Sequence, residues 1–375
     1  MHVYCRFAAS FALGAAVLIA STASSAATAP QPEFAFGAAT TAHDYRDKHF
    51  DYFVTGNPAL PRAAHTDFTP ALMGGGGAVD AAYSAIARCA GGGHIVILRA
   101  ISDDSYDSEG GDYGKSFMTQ WGPVASAETI AFHDREASFD PRVIASLRGA
   151  DGIFLAGGDQ SNYVRYWKGT PVQELLNAHV LANRPIGGSS AGLAILGHYR
   201  YTAFDCGSME SKVALADPYN SGVTLESDFL HYQWLEHVIT DIHFSKRFRL
   251  GRLIAFVARI NREQPTDKVF GIGVDEKSAV LICADGISRL AAGSAGSAWV
   301  VMPLKPATVL TSGQPLSIPD VRIARVDSSG SIDLKTSEVV HASAQTVDSI
   351  VHGAETQLSI ASPILTRSVV PSDED

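Results

Sequence analysis

Residues Gly188-Ser189-Ser190-Ala191-Gly192 spell G-x-S-x-G between an apolar end at Pro185-Ile186 and Leu193. A turn of such small residues fits a strand that stops abruptly and a helix that starts at once. The chemistry of a nucleophile elbow explains the spelling. The serine must stand on a strained turn so that its hydroxyl clears the backbone, and only small neighbours leave room for that turn. The helix that follows aims its first N–H groups, and its positive dipole end, at the place where an oxyanion would form. The same letters also suit an ordinary Gly/Ser loop, so the surroundings have to decide.

Those surroundings read as repeated strand–helix units. The run H-I-V-I-L-R over residues 94–99 is a short buried strand, and residues 129–132 and 152–156 are two more. A helix is expected over 78–90, stopped by Gly91, Gly92 and Gly93. Asp140-Pro141 caps another through about Arg148, and Thr170-Pro171 opens a third. Such βα repeats predict an α/β fold with a largely parallel, doubly wound sheet. Loops at the carboxyl ends of its strands, among them Gly74-Gly75-Gly76-Gly77, Gly157-Gly158 and Ser190, should converge on one rim. The quadruple glycine lacks the G-K-[ST] ending of a phosphate loop and reads as a close-approach turn beside the site. Residues 270–275, 278–284 and 297–302 alternate and suggest C-terminal β-hairpins that extend the sheet. Residues 304–347 read as strand-poor, and Ser372-Asp373-Glu374-Asp375 as an acidic tail.

The N-terminus reads as a secretory signal peptide. Arg6 precedes an apolar run over 7–20, and small residues over 21–29 place a cut after Ala26. The expected organisation is therefore a signal peptide at 1–26, a lead-in at 27–67, a catalytic α/β domain at 68–330 and an extension with the acidic tail at 331–375. Export to the periplasm or medium follows, with no membrane attachment after cleavage. The formal charge of −10 and the lack of a basic run argue against nucleic acid as a partner. An exported chain permits disulfides, so Cys206 and Cys283 are a candidate pair, while Cys89 reads as a core residue. No C-x-x-C spacing marks a metal site, and no metal or organic cofactor is expected. A homodimer is compatible with the sequence.

A nucleophilic serine needs a base, and the base needs an acid to orient it. His243, in T-D-I-H-F-S over 240–245 and followed by Arg247, Arg249 and Arg252, is the candidate base; a surface histidine in a basic loop is the alternative. Asp205, Glu210 and Asp217 lie between the serine and the histidine and are candidate acids. Gly157-Gly158 lets a backbone N–H approach an oxyanion, and Gln160 offers both a donor and an acceptor.

Four segments in order, G-G-D-Q (157–160), G-S-S-A-G (188–192), D-I-H-F-S-K-R-F-R-L-G-R-L (241–253) and G-I-G-V-D-E (271–276), resemble the cyanophycinase and dipeptidase E family of serine peptidases. The resemblance runs from about residue 68 to 330. It implies a fold related to class I glutamine amidotransferases, with Ser190 as nucleophile, His243 as base and Glu210 as the nearest match to the triad acid. It implies an oxyanion hole from the amides near Gly158 and Ala191, and substrate contacts from Gln160, Asp241 and Arg252. The substrate so implied is cyanophycin, a poly-aspartate chain carrying arginine on its side-chain carboxyls, cut to β-Asp-Arg dipeptides. Its guanidinium groups would call for Asp159 or the Asp103/Asp104 loop. Two departures, Ile242 for the usual Gln, and Ser189 and Leu193 for Thr and a small residue, leave strict cyanophycin specificity open. Other aspartyl peptides, a non-catalytic binding protein that kept the pocket, and an α/β-hydrolase esterase are the alternatives. The esterase is disfavoured by the short gap from Ser190 to His243.

Overall fold

The apolar runs of the chain become a parallel core flanked by antiparallel additions. A computed structural model describes residues 44–100, 110–204 and 207–353, the side chains of 110–112 excepted. Five strands, in the order Ser126–Phe132, His94–Ala100, Gly152–Leu155, Ile186–Ser189 and Pro70–Met73, pair in parallel at the centre of an eleven-stranded sheet. Alternation along these strands feeds two cores. Ile95, Ile97, Ala127 and Phe154 face Tyr83 of helix Asp80–Cys89, together with Phe117 and Trp121. Val96, Leu98, Ile130, Ile153 and Leu155 face Val143, Leu147, Val164, Trp167 and Leu176 of helices Pro141–Gly149, Gln160–Trp167 and Pro171–Leu181. Helices therefore cover both faces of the parallel part, as βα repeats require. The cap at Asp140 is real: its carboxylate accepts the Arg142 N–H at 2.8 Å, with Pro141 in the first turn.

Strands Tyr45–Arg46 and Phe50–Gly56 continue this sheet beyond Ser126–Phe132. On the other side Ala279–Ile282 pairs antiparallel with Pro70–Met73, followed by Ile287–Leu290, Ser331–Asp333 and Glu338–Val340. A second, five-stranded sheet runs Val238–Asp241, Phe270–Val274, Ala298–Pro303, Ile318–Val326 and Ala344–Ile350. Consecutive strands Phe270–Val274 and Ala279–Ile282 thus lie in different sheets. The chain passes between them through Asp275-Glu276-Lys277-Ser278, and this crossing builds part of the site.

The expectation of a strand-poor 304–347 is corrected. Four strands occupy or overlap it. In V-R-I-A-R-V (321–326), Val321 and Ile323 enter one core while Ala324 and Val326 enter another, so the strand is buried on both sides. Sheet strands likewise run through the expected lead-in, at Tyr45–Gly56, and into the expected C-terminal extension as far as Ile350. The signal peptide, Asp103, Asp104, Asp205, Cys206 and the acidic tail lie outside the described residues. Cys283 is exposed. Among the described residues, no helix is long and apolar enough to cross a membrane.

His179 anchors helix Pro171–Leu181 to the parallel core by donating from Nε2 to the Pro185 carbonyl at 2.9 Å. Burial pushes its pKa down to about 4, so the fold keeps the ring neutral while the unfolded chain protonates it near the ordinary value. The unfolded state then binds the extra proton between those two values, and stability falls as pH drops from about 6.5 toward 4. Urea unfolding at pH 7 and at pH 5 should show His179→Gln, which keeps a donor and does not titrate, losing less stability on acidification than wild type. Equal losses would contradict this assignment.

Candidate active site

Ser190 sits between strand Ile186–Ser189 and helix Ala191–Ala194 with φ 50° and ψ −121°. A non-glycine residue held there costs about 1–3 kcal/mol, which the surrounding packing has to impose. It does so closely. A Cβ on Gly192 would stand 2.0 Å from the Leu155 carbonyl oxygen, so only glycine lets the new helix start against the neighbouring strand. The Ser190 N–H donates to the Met73 carbonyl at 3.1 Å and ties the turn to the glycine loop.

His243 follows strand Val238–Asp241 of the second sheet, and its Nε2 lies 2.8 Å from Ser190 Oγ. Its Nδ1 lies 2.8 Å from Glu276 Oε1. A carboxylate only accepts, so Nδ1 carries the proton and Nε2 is left to accept the Ser190 hydroxyl. Burial pushes the His243 pKa down to about 4, with the hydrogen bond to Glu276 opposing and the charges of Arg247 and Arg249 assisting. The imidazole is therefore neutral at neutral pH, the state a general base requires.

The quadruple glycine makes the meeting possible. Gly74 accepts the His243 N–H at 2.9 Å and donates to the Ser278 carbonyl at 2.9 Å, so it stitches the loop after the second sheet to the crossing that carries Glu276. Gly75 has φ 92°, and a Cβ there would stand 2.7 Å from both Cε1 and Nε2 of His243. Glu276 lies over Gly76. The close-approach reading of this loop stands.

Glu210 is corrected as the acid. It is exposed at the start of helix Ser211–Ala216, while Glu276 holds the imidazole. Chain order misled here: Glu276, the carboxylate that bonds the imidazole, follows the histidine instead of lying between serine and histidine. Its signal was present in G-I-G-V-D-E, at the end of a strand like the serine and the histidine. Asp241 and Arg252 are corrected as substrate contacts. Both are buried. Arg252 Nε donates to Asp241 Oδ2 at 2.8 Å, Nη2 donates to Oδ1, and Nη1 donates to the Met209 carbonyl at 3.0 Å. Asp241 also accepts the Ile242 N–H at 2.8 Å. The pair braces the segment that leads into His243. Ile242 points into the core, so its departure from Gln changes packing rather than the cleft.

A cleft of about 380 Å³ opens beside Ser190, between the glycine loop, Gly157-Gly158, Ser189, Arg99 and the aromatic side chains of Tyr83, Tyr113 and Trp121. Gly158 thus lies where the sequence placed it. The buried Tyr163 hydroxyl holds that turn by donating to the Ala156 carbonyl at 2.7 Å. Ala191 is buried as the first residue of its short helix, where amides have no intrahelical partner. Asp159 and Gln160 lie outside the cleft lining, because Asp159 caps helix Gln160–Trp167 by accepting the Ser161 N–H at 2.8 Å. Among the described residues, no group of three or more His, Cys, Asp or Glu could hold a metal ion.

Residues 130–290, which include Ser190, His243 and Glu276, match the sequence pattern of Peptidase family S51. This segment is similar to peptidase family S51. A cyanophycinase of Trichormus variabilis is 30% identical over 205 residues, covering 52% of this chain and 61% of its own. A cyanophycinase of Synechococcus elongatus is 30% identical over 223 residues, covering 58% and 63%. The chain thus spans less than two thirds of these relatives. A solved peptidase from an acI-B1 Actinobacterium overlays 76% of this chain at 14% identity with a TM-score of 0.45.

Two outcomes follow from the geometry. Gly75→Ala should displace the His243 ring and slow phosphonylation of Ser190 by a small fluorophosphonate by roughly 10²-fold; an unchanged rate would show that the loop yields freely. Arg252→Met should cost about 3–5 kcal/mol in urea unfolding, because it leaves the Asp241 carboxylate buried without its partner. A stable variant with only a raised KM would restore Arg252 as a substrate contact.

Proposed function

We propose that this chain is an exported serine peptidase that hydrolyses aspartyl peptides of the cyanophycin type. The observation that carries the reading is the run of contacts from Ser190 Oγ through His243 to Glu276 at the mouth of a cleft. The match of residues 130–290 to family S51 and the likeness to cyanophycinases support the reaction class and the substrate.

In this mechanism Ser190 Oγ attacks the scissile carbonyl carbon while its proton passes to His243 Nε2. Glu276 holds the imidazole in the required tautomer and stabilises the imidazolium that forms. Amides near Gly158 and at Ala191 receive the negative charge that develops on the carbonyl oxygen. The tetrahedral intermediate collapses, the C–N bond breaks, and His243 returns the proton to the leaving amine. Water then attacks the acyl-enzyme with His243 again as base, which frees the acid product and Ser190. The segment over residues 1–26 is the signal for export and is removed after Ala26.

Kinetics on purified variants test the assignments. Ser190→Ala should lose on the order of 10³-fold or more in kcat. Glu276→Gln should lose roughly 10³–10⁴-fold while Glu210→Gln changes little; the reverse ranking would return the role to Glu210. Protonation of His243 removes the base, so kcat/KM should fall with acid only near its depressed pKa of about 4. An acid limb at the ordinary histidine value would contradict the burial argument.

A further inference from the structure

We infer that Tyr163 positions the oxyanion-binding turn: its hydroxyl takes the place of a missing rung in the sheet and so aims the Gly158 amide at the cleft beside Ser190. The inference rests on the peptidase reading and adds a positioning residue to it. Tyr163 is not among the residues that line the cleft, so it acts through the turn.

The sheet opens at this point. Strands His94–Ala100 and Gly152–Leu155 pair in parallel as far as Leu98 and Leu155. The Ala156 N–H still donates to the Leu98 carbonyl at 2.9 Å. A parallel ladder would continue with the Ala100 N–H donating to the Ala156 carbonyl, but the register stops before that rung. The Tyr163 hydroxyl stands there instead. It donates to the Ala156 carbonyl at 2.7 Å, and the Ala100 N–H turns to the hydroxyl oxygen. One hydroxyl serves both because it carries a donor and acceptor lone pairs. Two backbone groups that the parting strands would orphan are thereby satisfied. The hydroxyl has little freedom to wander. Tyr163 is fully buried in helix Gln160–Trp167, and its ring packs on Trp167 with centroids 4.7 Å apart.

The same hydroxyl lies 3.2 Å from the Gly157 carbonyl oxygen. That carbonyl and the Gly158 N–H belong to one trans peptide and point to opposite sides. Holding the carbonyl toward Tyr163 therefore aims the Gly158 N–H away from the helix, toward the cleft that Gly157, Gly158 and Ser190 share. The turn is in contact with the nucleophile: a Cβ on Gly157 would stand 3.6 Å from Ser190 Cβ. The Gly158 N–H has no partner among the described residues. An amide fixed beside the serine with nothing to bond in the resting enzyme suits a charge that develops only in the transition state.

Tyr163→Phe removes the hydroxyl and keeps the ring, so the test uses that variant of the full chain with a soluble arginyl-polyaspartate oligomer. The kcat should fall roughly 10- to 100-fold with KM unchanged, because the lost interaction forms only in the transition state. Phosphonylation of Ser190 by a small fluorophosphonate should slow by a similar factor, since it too builds negative charge on an oxygen beside the serine. The acid limb of kcat/KM should stay at its wild-type position, because the His243–Glu276 contact is untouched. Tyr52→Phe removes a buried hydroxyl bond of the same kind, to Glu128 at 2.9 Å, on strand Phe50–Gly56, and should leave all three readouts as in wild type. Wild-type turnover and phosphonylation in Tyr163→Phe overturn the inference. So do a loss carried by KM, a shifted acid limb, or an equal loss in Tyr52→Phe. Should wild type label but not cleave the oligomer, the phosphonylation rates decide alone. Should wild type neither label nor cleave, the peptidase reading has failed and this inference falls with it. Should Tyr163→Phe not fold, Gly158→Ala decides, because its Cβ would stand 3.2 Å from the Tyr163 hydroxyl and 2.9 Å from the Ala100 carbonyl oxygen: an unchanged phosphonylation rate overturns the inference.

Discussion

One hydrogen bond, from His243 Nδ1 to Glu276 Oε1, links the end of a second-sheet strand to the crossing between the sheets, and the rest of the site depends on it. It fixes the tautomer, and the tautomer fixes which nitrogen faces Ser190. Every neighbouring constraint serves this contact. Gly74 bonds to both segments, Gly75 leaves space for the ring, and Ser190 is drawn to the same loop through the Met73 carbonyl. A substitution in the glycine loop therefore acts on the base without touching it chemically.

The electrostatics point the same way. His243 is buried, and burial favours its neutral form, while the cationic side chains of Arg247 and Arg249 deepen the effect. Arg249 is itself buried and donates to the Ile242 carbonyl at 2.9 Å, which holds the backbone just before the histidine. The Asp241–Arg252 pair braces the same segment from below. Charges that a motif reader assigns to substrate are here spent on keeping one ring neutral and still.

Much of this was legible in the sequence, for identifiable reasons. Ser190 and the glycine loop were readable because strained turns and close approaches restrict residue type so severely that few spellings remain. The capped helix at Asp140-Pro141 and the strand over 94–100 were readable because caps and short apolar runs are local signals. Glu276 was not, although its segment had been singled out. The order of groups in space depends on the chain crossing between sheets after Val274, and no local pattern encodes that crossing. Arg252 and Asp241 failed in the opposite way: a motif gives charge and position but not burial. The strands between 318 and 350 were missed because Ser, Thr and Asp dilute the composition, even though V-R-I-A-R-V alternates as a buried strand does.

The central claim is that Ser190, made nucleophilic by His243 and Glu276, does the chemistry. Its most direct measurement is exposure of the purified protein to a serine-directed fluorophosphonate at neutral pH, followed by intact-mass and peptide mapping. The account predicts one adduct per chain, on the peptide that carries Ser190, with labelling strongly slowed in Glu276→Gln. No adduct, or an adduct on another residue, would contradict it.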